Sequence, residues 1–422
     1  MYETKPLKLF EKAKELRLKH YRELMTAKEK GKLIMAGSAH APKDLVVGIG
    51  EFEQICGEPW AASIAADPEL SRRCLEAAEA KGYKRDMCAY MRLYWGSMFL
   101  NVSPWGGYPK PDFVLQSKIC DSHGKWYQVV SEHLGIPCFI TECPSDESQT
   151  LTKTRTTEYM AAQYADAIEW LKEITGREYN YEAMVQAVIN SWRTKVLWSE
   201  ICELNQAIPA PLSQNMMLAL FMPAVLEYHR KEIVDFYREL KDEIKYRVEQ
   251  GIAAEPNEKI RILHDGTPPW YALDLFKDYR KQGVAIIGGP YLFYNSGLWE
   301  VTEKGDLKPM KPIEEMGLPQ STKEALWYRA LMDSVSVKYS TDLRTKLMTL
   351  RAIIRGWKCN GIIFHINRGC KLLTLDNMQN RLALQKDGIP TMLYEGSMGD
   401  ERDWDEQGVT KRLKIFLGTL TG

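Results

Sequence analysis

Apolar residues recur at helical spacing in residues 6–29. Leu7, Phe10, Ala13, Leu16 and Leu18 are separated by Lys and Glu, which predicts an amphipathic helix. The run DLVVGIG at 44–50 is short, apolar and closed by glycine, and predicts a buried strand. A helical pattern covers 61–81, with Gly82 as its stop. Then strand and helix alternate. PDFVLQS (111–117) predicts a strand, SHGKWYQVVSEHL (122–134) a helix and GIPCFIT (135–141) a strand. The alternation returns late in the chain. RILHD (261–265), GVAIIG (283–288), GIIFHI (361–366) and IPTMLY (389–394) predict strands. Helices are expected at 269–281, over one long stretch at 321–357, at 376–386 and at 405–417. Residues 157–250 are almost wholly helical, with breaks at Gly176 and at the PAP of 209–211. Alternating strands and helices imply parallel sheets covered on both faces. The expected fold is therefore α/β. Two doubly wound parallel-sheet lobes, residues 1–156 (with the N-terminal helix) and 256–422, are joined by a helical connector at 157–255.

Composition narrows the class. The chain has 422 residues, 45% of them hydrophobic and 27% charged, enough for two or three domains with cores of their own. Lys+Arg and Asp+Glu are equal at 56 each, which argues against a broad nucleic-acid surface. The N-terminal MYETKPLKLFEKAKELRLKHY is charged every few residues and has no signal-peptide core, and no apolar run is long enough for a bilayer. The expectation is a cytoplasmic protein with neither nucleic acid nor membrane as partner. No fixed-period repeat or low-complexity segment is visible. No GxxxxGK[ST] loop exists, and no GxGxxG follows a strand; Gly288-Gly289-Pro290 reads as a turn.

Nine cysteines without a CxxC pair are not a disulfide framework in a reducing compartment. Three of them stand where parallel sheets bind ligands, or where helix ends stabilise thiolates. Cys120 and Cys370 follow the carboxyl ends of predicted strands. Cys88 opens the helix DMCAYMRLYWGSMF, with Asp86 as its expected N-cap. On residues alone, a buried apolar role stays open for each, and is the commoner fate of a lone cysteine. Cys56, Cys74, Cys138, Cys143, Cys202 and Cys359 fit that role, with Cys143 a spare candidate ligand. Cys120 and His123 form C-x-x-H, a spacing that suits zinc with Cys88 and Cys370, or else a histidine at a pocket mouth acting as proton donor.

The segments CAYMRLYWGS (88–97), SKICDSHGKWYQVV (117–130), HINRGCKLLT (365–374) and LYEGSMGDERDWDE (393–406) resemble the 2-hydroxyacyl-CoA dehydratase/benzoyl-CoA reductase family. The resemblance extends to GEPWAA (57–62), IPAPL (208–212) and GIAAEPNEK (251–259). Within the family it is greatest to the larger catalytic subunit of ATP-dependent (class I) benzoyl-CoA reductases of the Azoarcus type. The resemblance implies two Rossmann-like lobes and a [4Fe–4S] cluster on Cys88, Cys120 and Cys370, with one iron left to a non-cysteine ligand. It also implies a second, related catalytic subunit, ATPase subunits carrying their own [4Fe–4S] cluster, ferredoxin as upstream donor, and benzoyl-CoA reduced to a cyclohexadienoyl-CoA.

That chemistry needs protons near the cluster, and His123, His365 and Glu395 are the candidates. A core position for His365 stays open, as does a capping role for Asp403 and Glu406 in the acidic run 400–406. Tyr90, Tyr94 and Trp95 divide between an aromatic slot and the core. Arg92 and Arg368 meet CoA phosphates or the cluster, or are structural. Two other functions remain open: a 2-hydroxyacyl-CoA dehydratase subunit, which is a radical lyase, and a zinc-stabilised or metal-free binding module.

Overall fold

The computed structural model describes residues 1–144, 154–341 and 343–421. Two four-stranded parallel sheets organise them. The first contains β1 (Leu33–Gly37), β2 (Phe52–Cys56), β3 (Phe113–Lys118) and β4 (Cys138–Glu142), in the order β2-β1-β3-β4. The second contains β5 (Ile260–Asp265), β6 (Val284–Ile286), β9 (Gly361–Asn367) and β10 (Thr391–Gly396), in the order β10-β9-β5-β6. A small antiparallel pair, β7 (Trp299–Val301) and β8 (Leu307–Pro309), lies between them in sequence. Within each lobe the strands follow one order, second-first-third-fourth. The expected pair of doubly wound lobes is therefore present.

The run at 44–50 is not a strand. It forms a helical turn, Lys43–Val46, followed by a 3-10 turn, Val47–Ile49. Its two charged residues point inward. Lys43 Nζ donates to the carbonyls of Val225 and Leu226 at 2.9 and 3.0 Å, and Asp44 accepts from Arg329 Nε at 2.8 Å. β1 and β2, on either side of it, also escaped the pattern, β2 for a related reason. β2 is buried at every position although it carries Glu53 and Gln54. Glu53 is paired with Lys32 at 3.0 Å, and Gln54 donates to the Ser38 carbonyl at 2.8 Å.

Three expected helices are divided. Residues 61–81 belong to Gly57–Ala65 and Pro68–Ala80, the second started by Asp67, which accepts from the N–H groups of Glu69 and Leu70. Residues 269–281 form only the short turns Trp270–Ala272 and Lys277–Arg280. The stretch 321–357 forms Thr322–Thr341 and Leu343–Gly356, with position 342 outside the described residues.

The central helices are Thr154–Thr175, Tyr181–Leu204, Gln214–Leu220, Met222–Glu227 and Lys231–Glu249. They share apolar cores with both sheets. Met160 and Trp192 pack with Met35 and Leu115 of the first sheet, and Trp198 and Leu212 with Leu263 and Ile362 of the second. Among the described residues, no helix is long and apolar enough to cross a membrane.

The lobes are also tied directly. Arg92 is buried and donates to Glu79 at 3.0 Å and Asp400 at 3.2 Å, while Arg402 bridges Asp400 and Glu79 again. Arg92 thus takes the structural one of its two expected roles. The last helix, Glu406–Thr421, is capped by Asp405, which accepts from Gly408 N–H at 2.9 Å, so the expected Asp403/Glu406 capping box does not form.

Candidate functional site

In each lobe the direction of strand addition reverses between the first and third strands. Doubly wound sheets bind ligands outside the carboxyl ends of such strands. Both reversal points open onto one cavity of about 350 Å³. Its wall includes Ala39 and His40 after β1, Cys120 and His123 after β3, Thr267 and Trp270 after β5, and Cys370 after β9. Cys88 lines the same cavity. The three cysteines named from sequence are therefore brought together, and Cys120 and Cys370 hold equivalent topological positions in the two lobes.

Each of the three occupies the N-cap position of a helix. Cys88 precedes Ala89–Leu100, Cys120 precedes Asp121–Leu134 and Cys370 precedes the short Lys371–Thr374. Asp86 is not the cap. A helix N-terminus exposes unpaired N–H groups and positive potential, which favour a thiolate. None of the thiols closes a cap hydrogen bond of ordinary geometry, yet the first-turn N–H groups act on all three.

Burial pushes the Cys88 thiol up, Cys370 adds to this, and the N–H groups of Met91 and Tyr90 oppose it. Burial pushes the Cys370 thiol up to about 11, against the N–H of Leu373 and the charge of Lys346. Cys120 is different. Burial raises its pKa, but the His123 imidazolium beside it and the N–H groups of His123 and Ser122 outweigh that, and the thiol falls below its ordinary value.

The sulfurs are not drawn to single-ion spacing. Among the described residues, the only trio of His, Cys, Asp or Glu ligand atoms within 4.8 Å of one another is His20, Glu53 and Glu227. At least one pair of the three sulfurs is thus further apart than that. A tetrahedral zinc with bonds near 2.3 Å requires sulfurs about 3.8 Å apart. The donor set can serve a larger, polynuclear centre, in which each thiolate holds a different metal atom. In the His20 trio, Lys32 already pairs with Glu53 and Arg230 with Glu227, so its charge is balanced without a metal.

His123 is buried beside Cys120. Its Nε2–H donates to Glu58 Oε1 at 2.9 Å, and the other Glu58 oxygen accepts from Ala39 N–H at 2.9 Å. Burial opposes the imidazolium, but Cys120 and Glu58 outweigh it and raise the pKa to about 10. Glu58 and His40 are cavity residues that the sequence reading did not single out. Glu58 does fall within GEPWAA, one of the segments carrying the resemblance. His40 follows β1, a strand the pattern did not mark. Tyr90, which accepts from Trp270 Nε1, lines the cavity with Tyr291, Tyr294 and Tyr339. Tyr94 and Trp95 are core instead.

His365 and Glu395 do not line the cavity. His365 is fully buried, donates from Nδ1 to the Thr267 carbonyl at 2.6 Å and stacks on Tyr394. Glu395 is exposed and pairs with Arg368 at 3.0 Å, which also reaches Asp403 at 3.1 Å. Cys143 packs against the apolar core of the first lobe, away from the cavity.

The buried histidines make stability sensitive to acid. Burial lowers both His40 and His365 to about 4. Unfolded histidines bind a proton near pH 6.5, so below that pH the unfolded chain takes up protons that the folded chain refuses. Their contribution is complete above pH 6.5 and is lost as pH falls toward 4, by up to about 3 kcal/mol each. His229 and His264, lowered to about 3, act in the same direction. His123, raised to about 10 in the folded state, acts in the opposite direction: its contribution is complete below pH 6.5 and is lost as pH rises toward 10, so it offsets part of the drop near pH 7. Urea unfolding midpoints are expected to drop between pH 7 and pH 5, and His365→Asn to flatten the drop.

A family model described as 2-hydroxyglutaryl-CoA dehydratase, D-component, matches residues 18–420. The chain is 27% identical to the (R)-phenyllactyl-CoA dehydratase alpha subunit of Clostridium sporogenes, over 95% of each chain. It is 26% identical to the (R)-2-hydroxyisocaproyl-CoA dehydratase alpha subunit of Clostridioides difficile, over 96% of this chain and 94% of that one. It is also 23% identical to the (R)-phenyllactyl-CoA dehydratase beta subunit of Clostridium sporogenes, over 57% of this chain and 59% of that one. These relatives bear out the family-level resemblance. They move the weight within it from the benzoyl-CoA reductase expectation to the dehydratase one.

Proposed function

We propose, from the premise that this chain belongs to the 2-hydroxyglutaryl-CoA dehydratase D-component family, that it is a catalytic subunit of a 2-hydroxyacyl-CoA dehydratase and holds a [4Fe–4S] cluster on Cys88, Cys120 and Cys370. The observation that carries this reading is the meeting, on one cavity, of three thiols each at a helix N-cap position. When bound, such a cluster supplies single electrons at low potential, with one iron free of protein thiolate.

The protein's own groups supply the remainder. The first-turn N–H groups favour the thiolates against the cost of their burial. His123, steadied by Glu58, keeps a proton at the cavity wall, and that proton goes to the departing 2-hydroxyl. The 2-hydroxyl leaves as water with that proton, and the proton lost from carbon 3 returns to the His123 imidazole, leaving an enoyl-CoA with no net electron consumed. A second, related subunit is the expected partner, since this chain is similar to both an alpha and a beta subunit. ATP-dependent activating subunits with their own cluster, fed by ferredoxin, are the proposed electron source.

A second reading is an ATP-dependent reductase acting on a benzoyl-CoA-type ring. The tyrosine and tryptophan wall favours it, because flat rings pack well against aromatic side chains. Electron counting separates the two. With partners present, dehydration consumes no electrons per product beyond priming, whereas ring reduction consumes two. Anaerobic preparation tests the shared premise. Separate Cys88→Ala, Cys120→Ala and Cys370→Ala replacements are expected to lose iron and acid-labile sulfide, while Cys74→Ala and Cys202→Ala, which lie in the apolar core, retain both. A colourless protein with zinc and no sulfide would instead support a zinc-stabilised binding module.

A further inference from the structure

The turn that Cys370 caps cannot hold itself in place. Lys371–Thr374 is a single helical turn with no buried residue. Isolated turns of that length are unstable, because nucleation costs more than one hydrogen bond returns. Its ties come from outside: Leu373 packs against the apolar core, and a lysine holds its carbonyl. Lys346, on Leu343–Gly356, is 1% exposed. Its Nζ donates to the Leu373 carbonyl at 2.6 Å and to Asn377 Oδ1 at 2.7 Å. It also pairs with Asp265 Oδ2 at 3.3 Å, and the other Asp265 oxygen accepts from Tyr339 at 2.7 Å.

An ammonium group has three protons to donate. Here they face the end of β5, the Cys370 turn and the start of the next helix, Asn377–Lys386. Asn377 extends the chain of contacts by donating to the His365 carbonyl at 3.4 Å. No sequence signal marked Lys346, which sits within an ordinary amphipathic helix.

We propose that Lys346 is a positioning residue: it locks the Cys370 turn against the end of β5. The lock does not depend on the cluster reading above.

Two variants test it: Lys346→Met, and Lys346→Met with Asp265→Asn, which leaves no carboxylate buried alone. In reduced apoprotein, iodoacetamide labelling followed by mass spectrometry gives separate rates for Cys88, Cys120 and Cys370 in the same molecules. Cys370 is expected to react several-fold faster in both variants, with Cys88 and Cys120 unchanged. An equal rise at all three would mean general loosening and would overturn the lock, as would no change at Cys370.

Wild-type protein that takes up no iron or sulfide overturns the cluster reading, while the labelling ratios in the apoprotein still decide the lock.

Discussion

On the proposed cluster reading, Gly369→Ala is expected to strip most of the iron from reconstituted protein while leaving all nine cysteines in place. Gly369 has φ +77, in the left-handed region. A Cβ there would stand 2.6 Å from the Met87 carbonyl oxygen, 2.8 Å from its carbon and 3.1 Å from Cys88 N. All three are backbone atoms, so nothing flexible can yield. The left-handed conformation costs an alanine about 1–2 kcal/mol, and overpacking adds roughly 1–3 kcal/mol. Relief requires the Cys370 turn and the Cys88 loop to move apart, which separates two proposed ligands. Gly388→Ala is the control: it has φ +78 but nothing within 4 Å of its Cβ position, so it meets the strain without the clash. Iron and sulfide per chain after anaerobic reconstitution should fall sharply in the first variant and stay level in the second. Full iron in both would show that close backbone approach is not what brings Cys88 and Cys370 together.

Arg329→Met is expected to produce the largest loss of stability, about 3–5 kcal/mol, because it breaks a buried ion network from its centre. Arg329 is 1% exposed and donates to Asp44 at 2.8 Å and Asp333 at 2.6 Å. It also reaches the His40 carbonyl at 3.3 Å, which ties the network to the cavity wall. Ser191 donates to Asp44, and Tyr164 to Asp333, so two central helices join as well. Methionine fills similar volume but leaves two carboxylates without a cation. Burial already raises the pKa of Asp44, and loss of the arginine raises it further. A protonated carboxyl needs no cation, so the deficit should be smaller at pH 5 than at pH 8. Urea unfolding at the two pH values measures this. A deficit independent of pH would point to lost packing rather than unpaired charge.

Much of the architecture was legible in one dimension. β3, β5 and β9 carry near-continuous apolar runs because they are buried on both faces, whereas β10, at a sheet edge, was legible although its buried positions alternate with partly exposed ones. The breaks at Gly176 and 209–211 fall between central helices, as expected. β1 and β2 were not legible. β2 places Glu53 and Gln54 inside the protein, and their partners, Lys32, Arg230 and Ser38, come from other segments. The run 44–50 failed for the same reason: Lys43 and Asp44 look like surface residues until Arg329 and the 225–226 carbonyls are brought to them.

The sequence by itself determined the alternation that makes two parallel sheets, and it marked Cys88, Cys120 and Cys370 by their places at strand ends and a helix start. Those signals are local, since burial period and helix-end position can be read within a few residues. Only the tertiary structure decided that both reversal points share one cavity, that His123 leans on Glu58, and that His365 and Glu395 stand outside the cavity. It also decided that Lys346 braces the Cys370 turn from behind. Each of these depends on which distant segment arrives opposite a given side chain, and charge and hydrogen-bond pairing across such distances leaves no periodic trace along the chain.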